Sequence, residues 1–362
     1  MKSETAIIGA GTAGLLLAAN LAKRGISVSV YDKKKRPGYP PVASGILSIK
    51  GLNSLGIPYK NAIRNTLYGA RLHAGSVLLS VYSKEPKAYV LDRPILNGIC
   101  LDLAEQNGAN VELGRQVPAY ELGEMSKRSI IVGADGALSL VARHFGMGFV
   151  KRYVLTYKAE FEVSPKDSFV DLFFDNSVSP GFFSWLCPVS KYAVEAGIGI
   201  ESSYGNAKRA FDRFMAKYAK QVLGEARPVS EYASIIPIES KKKLVDEKKE
   251  VLLVGDAAGQ VKASTGGGII FGGNAALMAS KAIYEHITKG APLSAYEKAF
   301  KKRFGADMLI HKLIHSIYSS LSPRSMSLLI GALGKLGFGS LLSKYGDMDS
   351  PTAFFKNLLL RK

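Results

Sequence analysis

Cysteine is almost missing from this chain of 362 residues: there are two, Cys100 and Cys187. Two thiols exclude a disulfide framework and a four-cysteine zinc site, and they read as small buried hydrophobes in a reducing compartment. Histidine is scarce as well, at five. His311 and His315 are spaced i, i+4 on a helical stretch, but no third ligand accompanies them, so the expected number of metal sites is none. Tryptophan occurs once, at Trp185. Acidic residues are outnumbered, with 30 Asp+Glu against 48 Lys+Arg and a net charge of +18. A field of that sign favours nucleic acid, phospholipid or an acidic redox partner. No nucleic-acid module is legible, and the basic residues are not interleaved with stacking aromatics, which removes nucleic acid from that set. There is no basic-then-apolar leader, no internal repeat and no long disordered linker, so the expected compartment is the cytoplasm.

What the chain does have is apolar mass and glycine. It is 47% hydrophobic with 37 glycines, enough core for two or three domains. The opening stretch "ETAIIGAGTAGLLLAANLAKRGISVSVYD" reads strand, glycine turn, helix, strand. Gly9, Gly11 and Gly14 form G-x-G-x-x-G, and Asp32 ends the second strand about twenty positions on. Gly9 permits the tight turn, Gly11 lets a pyrophosphate approach the backbone, and Gly14 allows helix and strand to pack closely. The helix start then aims free N–H groups at the phosphates, and Asp32 can accept from a ribose hydroxyl.

Two further glycine sites follow strands. "VGADGALSLVAR" (132–143) places Asp135 at a strand end, and "VLLVGDAAG" (251–259) places Asp256 at another. Helix capping by Asp explains either one alone, but not the whole set of three. A nicotinamide cofactor needs one such fingerprint; three suit a longer dinucleotide, FAD. Asp256 would hold its ribityl chain. Gly266, Gly267 and Gly268 would bring bare backbone against the flavin ring, where N–H groups can meet negative charge.

Between these segments lie stretches of strand alternation: 71–93, and 151–200 with "YVLTYKAEFEV", "SFVDLFFD" and "YAVEAGIGI". Residues 94–107 and 205–222 read as helices, 241–250 as a solvated hairpin or loop, and 273–320 as mostly helical. The expected fold class is α/β: an FAD-binding Rossmann-like domain interleaved with an antiparallel-sheet substrate domain, plus a C-terminal helical region. The boundaries expected are 1–65, 89–150 and 250–298 for the first, 66–88 and 151–249 for the second, and 299–362 for the third.

The ordered set "GAGTAG", "DRPIL", "GADGALSLVAR" and "GDAAGQVKASTGGGI" resembles the FAD enzymes that include para-hydroxybenzoate hydroxylase. Within them the chain most resembles the geranylgeranyl reductase family of archaea and phototrophs. "RPGYPPVASGILS" (36–48) and the Trp-x-x-Pro stretch "SPGFFSWLCPVSKYAVEAGIG" (179–199) carry that likeness, which covers about the first 290 residues. It implies that Ala13 lines the pyrophosphate with Gly9, Gly11 and Gly14. Asp32, often Glu in the family, takes the adenosine ribose. Ser44 and Gly45 lie beside the flavin, Arg93 reaches the phosphate region, and Val117 meets the adenine through its backbone. Asp256, Gly268 and Ile269 complete the flavin site. Many relatives have Cys where this chain has Ser44 and Gly where it has Leu47, so a thiol role is in doubt and no catalytic side chain is assigned.

The implied reaction saturates C=C bonds of geranylgeranyl chains in archaeal-type isoprenoid ether lipids, with hydride from the reduced flavin. An unactivated alkene makes positioning over the ring the main contribution. It calls for an apolar tunnel with few polar groups, for which Phe182, Phe183, Trp185 and Leu186, with Pro188, are the candidates. Tyr192 and Cys187 are weaker candidates as proton sources. An aromatic monooxygenase and a non-catalytic, membrane-associated electron-transfer flavoprotein share the fold as alternatives. "SMSLLIGALGKLGFGSLL" (325–342) is marginal as a membrane span, carries Lys335 and four glycines, and is poor in helix propensity. With ten Lys/Arg against three Asp/Glu over 301–362, the expected partners are an isoprenoid lipid and an anionic membrane surface. The protein would sit peripherally at the inner face of the cell membrane. The external electron donor stays open among ferredoxin, a quinol-type donor and NAD(P)H.

Overall fold

The structure is a computed structural model that describes residues 2–148, 150–241 and 243–359. The chain opens with β1 (Glu4–Ile8), α1 (Thr12–Ala22) and β2 (Ser27–Asp32), then β3 (Ile46–Ser48) and α2 (Ile49–Ser54). The strands β4 (Ile63–Leu67), β5 (Gly69–Ala74), β6 (Val77–Tyr82) and β7 (Ala88–Leu91) lead to α3 (Arg93–Gln106). After β8 (Asn110–Leu113), α4 (Ala119–Met125), β9 (Ser129–Gly133) and α5 (Leu140–His144) come the long strands β10 (Tyr153–Phe161) and β11 (Phe169–Phe173). Next are β12 (Ser184–Ser190), β13 (Ala193–Glu201), α6 (Ala207–Phe214), α7 (Lys220–Leu223) and β14 (Pro228–Pro237). β15 (Val245–Asp246) and β16 (Val251–Leu253) precede α8 (Ile269–Lys289), α9 (Ser294–Ser320), α10 (Pro323–Lys335), α11 (Phe338–Tyr345) and α12 (Pro351–Leu359).

The first sheet has the order β15-β16-β9-β1-β2-β8 and is parallel except for the β15–β16 pair. Its central strands are apolar on both faces because helices cover both: Ile7, Val30, Ile130, Ile131, Val132 and Leu252 are all sealed from solvent. The alanine- and leucine-rich α1 lies between α3 and α8, where small side chains allow close approach. The switch between β1 and β9 puts three strand ends, at Ile8, Gly133 and Leu253, along one edge.

The second sheet has the order β14-β10-β13-β12-β11-β5-β6 and is antiparallel except where β11 runs alongside β5. Its faces differ. Leu186, Val194, Ala196, Ile198 and Phe161 form an apolar core with Phe211 and Phe214 of α6. The opposite face carries Trp185 and Cys187 on β12, Glu195 on β13 and Lys158 on β10. A three-stranded sheet, β3-β7-β4, joins the two.

The strand alternation read at 151–200 is present, but β12 and β14 were not foreseen as strands. β12 is buried on both faces and so shows no clean alternation. The helix read at 205–222 is divided: α6 passes through a π-turn at Met215–Ala219 before α7. The glycine-bearing stretch 325–342 does form helix, against its propensity. Gly331 and Gly334 face Val77 and Leu79, and a Cβ on Gly339 would overlap the Ser80 carbonyl, so packing on β6 uses those absent side chains. No single helix among the described residues is long and apolar enough to cross a membrane; α10 and α11 pass together by length and composition but are bent by 71°.

Candidate functional site

The glycine turn after β1 is built as its spacing requires. Gly9 has φ +113°, and a Cβ there would overlap the Ala134 carbonyl. A Cβ on Gly14 would overlap the Gly9 carbonyl, whereas the space above Gly11 is open. The turn therefore closes on its own backbone on one side and is free on the side toward which α1 begins. Asp32 is braced by two backbone amides: Oδ2 accepts from Ala10 N at 2.7 Å and Oδ1 from Lys34 N at 2.8 Å. Each oxygen keeps a lone pair for a further donor. Val117 is buried after β8.

Arg93, at the start of α3, is brought to this turn. Its Nη2 donates to Thr12 Oγ1 at 3.1 Å, while Thr12 itself donates to Asn97 Oδ1 at 2.8 Å. Burial pushes the guanidinium down to about 10, with Cys100 and Asp256 acting against that shift. Nη1 is buried without any partner. A guanidinium N–H left this way costs free energy unless something anionic meets it. Asp256 lies nearby, in a single 3-10 turn at Gly255–Ala258; burial raises its carboxyl and Arg93 opposes the rise. A Cβ on Gly268 would press on Asp256 Oδ1, so the helix start at Ile269 is held close to that carboxylate. Ala13 packs at Gly255 and Gly272, which joins the first glycine turn to the last.

Asp135 plays a double part. Its Oδ2 accepts from Leu140 N at 2.6 Å and Val141 N at 3.1 Å, which caps α5. Its Oδ1 is buried and unpartnered. Gly266 packs against Ile236 and Phe182, and Gly267 against the stem of Lys262. The triple glycine thus meets side chains of the second sheet and of its own loop.

The residues foreseen at the substrate side divide between two faces. Phe182 and Phe183 stack at 4.3 Å, and Phe183 meets the edge of Trp185 at 6.1 Å. Tyr318, Met326 and Ile330 of the C-terminal helices roof this aromatic wall. Leu186 is on the other face, in the core against α6, because alternate side chains of a strand point in opposite directions. Pro188 is buried, and its carbonyl accepts from Asn65 Nδ2 at 2.5 Å. Tyr192 is 64% exposed at the tip of the hairpin between β12 and β13. Burial holds the Cys187 thiol well above its usual pKa, so it stays protonated inside the sheet. His311 and His315 are buried and bond to Ser264 and to the Gly181 carbonyl. Among the described residues no three His, Cys, Asp or Glu side chains could hold a metal ion.

Ser44 lines a cleft with Leu91, Arg93, Lys158, Glu160 and Tyr232. That lining is charged and includes none of Phe182, Phe183, Trp185, Leu186 or Pro188. The sequence reading missed other residues too. Gln260 receives Gly255 N at 2.8 Å and donates to Tyr296 Oη at 2.6 Å, and Tyr296 donates to the Leu253 carbonyl at 2.9 Å, which fixes the turn bearing Asp256. Lys262 pairs with Asp349 at 2.7 Å, and Asp349 also accepts from Ser48. A lone basic residue inside a glycine-rich motif was the available signal for Lys262; Tyr296 and Asp349 offered none.

Residues 7–39 match the family described as an NAD(P)-binding Rossmann-like domain. A digeranylgeranylglycerophospholipid reductase of Methanocaldococcus jannaschii is 26% identical, over 98% of both chains. One of Methanothrix thermoacetophila is 25% identical over 92% of each. A geranylgeranyl bacteriochlorophyll reductase-like protein from Thermoplasma acidophilum superposes with TM-score 0.81 at 20% identity, covering 99% of this chain and 96% of that one. A probable FAD-dependent monooxygenase from Pseudomonas aeruginosa gives TM-score 0.66 at 15% identity, over 91% and 99%. The chain thus has the fold of the FAD-dependent oxidoreductases and, over more than nine-tenths of its length, resembles the digeranylgeranylglycerophospholipid reductases.

Proposed function

We propose that this protein is an FAD-dependent reductase that saturates C=C bonds in the geranylgeranyl chains of isoprenoid ether lipids. One arrangement carries the reading. The nucleotide cradle has unfilled polar atoms, Arg93 Nη1 and Asp135 Oδ1, and Arg93 shares a cleft with Glu195, whose carboxylate accepts from Trp185 of the buried aromatic wall. Those orphaned atoms and the open space above Gly11 fit FAD. The similarity to reductases named for such lipids supports the substrate class.

Bound and reduced, FAD would supply a hydride to one alkene carbon, and a proton from solvent or a nearby acid would go to the other. The chain's own residues do the rest. Gly9, Gly11, Ala13 and Gly14 would admit the pyrophosphate to the start of α1, where free N–H groups attract it. Arg93 would add charge at the same phosphates. Asp32 would hold the adenosine ribose, Val117 the adenine edge and Asp256 the ribityl hydroxyls. Ser44, Gly45, Gly266, Gly267, Gly268 and Ile269 would surround the ring. Phe183 and Trp185 would hold the prenyl chain and exclude water, which is the main service an unactivated alkene needs. The finer reading adds a peripheral place on the inner face of an anionic membrane, with electrons from ferredoxin, a quinol-type donor or NAD(P)H. On α9 the outward stripe Leu309, Leu313 and Ile317 is exposed, amid the basic excess of the C-terminal region.

The decisive experiment is anaerobic. The purified protein, loaded with FAD and reduced with dithionite, is mixed with a digeranylgeranyl glycerophospholipid and the lipid is weighed by mass spectrometry. A gain of two hydrogens per saturated bond is expected. Intact alkenes, or a product that forms only with O2 and carries its oxygen, would overturn the reading.

A further inference from the structure

Two charges stand inside the second sheet, on the face turned toward the cleft. Lys158 on β10 and Glu195 on β13 are 7% and 2% exposed, and Lys158 Nζ lies 2.7 Å from Glu195 Oε2. The strand register explains how they meet. Lys158 stands opposite Gly197, while Glu195 stands opposite Glu160 on one side and Cys187 on the other, so the pair spans one diagonal of the β10–β13 ladder. Gly197 offers no side chain between them.

Each partner reaches one residue further. Glu195 Oε1 accepts from Trp185 Nε1 at 2.9 Å, and Lys158 Nζ donates to the Ala43 carbonyl at 3.0 Å. Trp185, Glu195, Lys158 and Ala43 therefore form one connected line from the aromatic wall to the segment that carries Ser44. The indole lies flat over Gly197, where a Cβ would run into its ring. A buried ion pair is a weak way to stabilise a sheet, because desolvating both charges offsets their attraction and an apolar pair of similar shape does as well. What it supplies is direction: a carboxylate held on one side by an ammonium accepts the indole N–H in one orientation.

We propose that Lys158 and Glu195 are positioning residues of the prenyl site. They set the plane of the Trp185 indole and fix the aromatic wall relative to residues 41–45. The proposal rests on the reductase reading and deepens it. Neither charge touches the alkene; they act through Trp185 on one side and through Ala43 on the other.

Trp185 is the single tryptophan, so emission excited selectively at tryptophan reports on this one residue. The test compares the FAD-loaded wild type with K158M/E195Q. That double variant removes both charges together, leaves an amide oxygen to accept the indole N–H, and cuts the tie to Ala43. The oxidised proteins are titrated with geranylgeraniol while tryptophan emission is followed; kcat and KM are then measured with the reduced proteins. Flavin absorbance and the melting midpoint control for folding. The expected result is normal flavin content, a midpoint within a few degrees of wild type and a retained emission response, with kcat lower by roughly ten- to hundredfold and KM changed far less. Turnover equal to wild type overturns the proposal and leaves the reductase reading standing. Loss of flavin or collapse of the midpoint also overturns it, since the pair then serves only the fold. A wild type whose emission ignores geranylgeraniol, and which reduces no prenyl chain, removes both ideas together.

Discussion

Arg93 illustrates what a single side chain discloses. Its Nη2 is anchored on Thr12, its Nη1 meets nothing, and burial lowers its pKa to about 10. A cation in that condition is waiting for an anion, and Asp256 beside it shares the same enclosure. Asp256→Ala should give folded but colourless protein, checked by the flavin absorbance of the purified material; a yellow variant with full flavin content would contradict the assigned role. A second residue-scale prediction concerns His311, whose pKa burial lowers to about 4 and whose Nε2 is unpartnered. Between pH 6.5 and about 4 the unfolded histidine takes up a proton that the folded one refuses, so stability falls as pH falls through that window and is unaffected above it. The contribution reaches roughly 3 kcal/mol at the acid end. His311→Asn should flatten that part of the stability profile, measured by urea unfolding across the pH range. Glycines and acids that act through nearby backbone were legible in the sequence, because their geometry is local. Thr12 and Asn97, which brace Arg93, were not: the contact joins residues 85 apart.

At the scale of elements, the pairing of β12 with β13 shows why a glycine pattern can belong to a neighbour. Gly197 and Gly199 look like weaknesses in a strand, yet they are the floor on which Trp185 and Phe182 rest. Gly197→Ala should force the indole off its seat and destabilise the protein by about 1–3 kcal/mol. Chemical unfolding gives that number, and a red shift of tryptophan emission should accompany it. A variant as stable as wild type, with unchanged emission, would show that the sheet has slack there. The parallel sheet was readable because each βαβ step announces itself with glycine, helix and apolar strand. β14 was not, since an edge strand of mixed exposure, PVSEYASIIP, has no apolar rhythm. The division of 205–222 also escaped notice, because the charged, amphipathic pattern runs on through the π-turn at Met215–Ala219.

For the whole molecule the governing quantity is charge, +18 over 362 residues. On the proposed membrane surface, binding to vesicles containing phosphatidylglycerol should weaken as salt rises, because the attraction between exposed charges farther apart than a Debye length, about 10 Å in 0.1 M salt, is largely screened. Leu309→Ser with Leu313→Ser should lower the remaining salt-resistant part, since it removes apolar area exposed on α9. Co-sedimentation measures both; binding indifferent to salt and to the leucines would refute the surface. The composition made the sign of the field plain, but which helix face presents the leucines depended on seeing what α9 buries: Phe304, His311, His315 and Tyr318.

The clasp between Lys262 and Asp349 has a consequence for how the pocket is closed. The glycine loop is fastened by a residue 87 positions further along the chain, so the wall it forms depends on a segment remote from it in sequence. Whatever disturbs the turn around Asp349 is thereby transmitted to the loop that would face the ring.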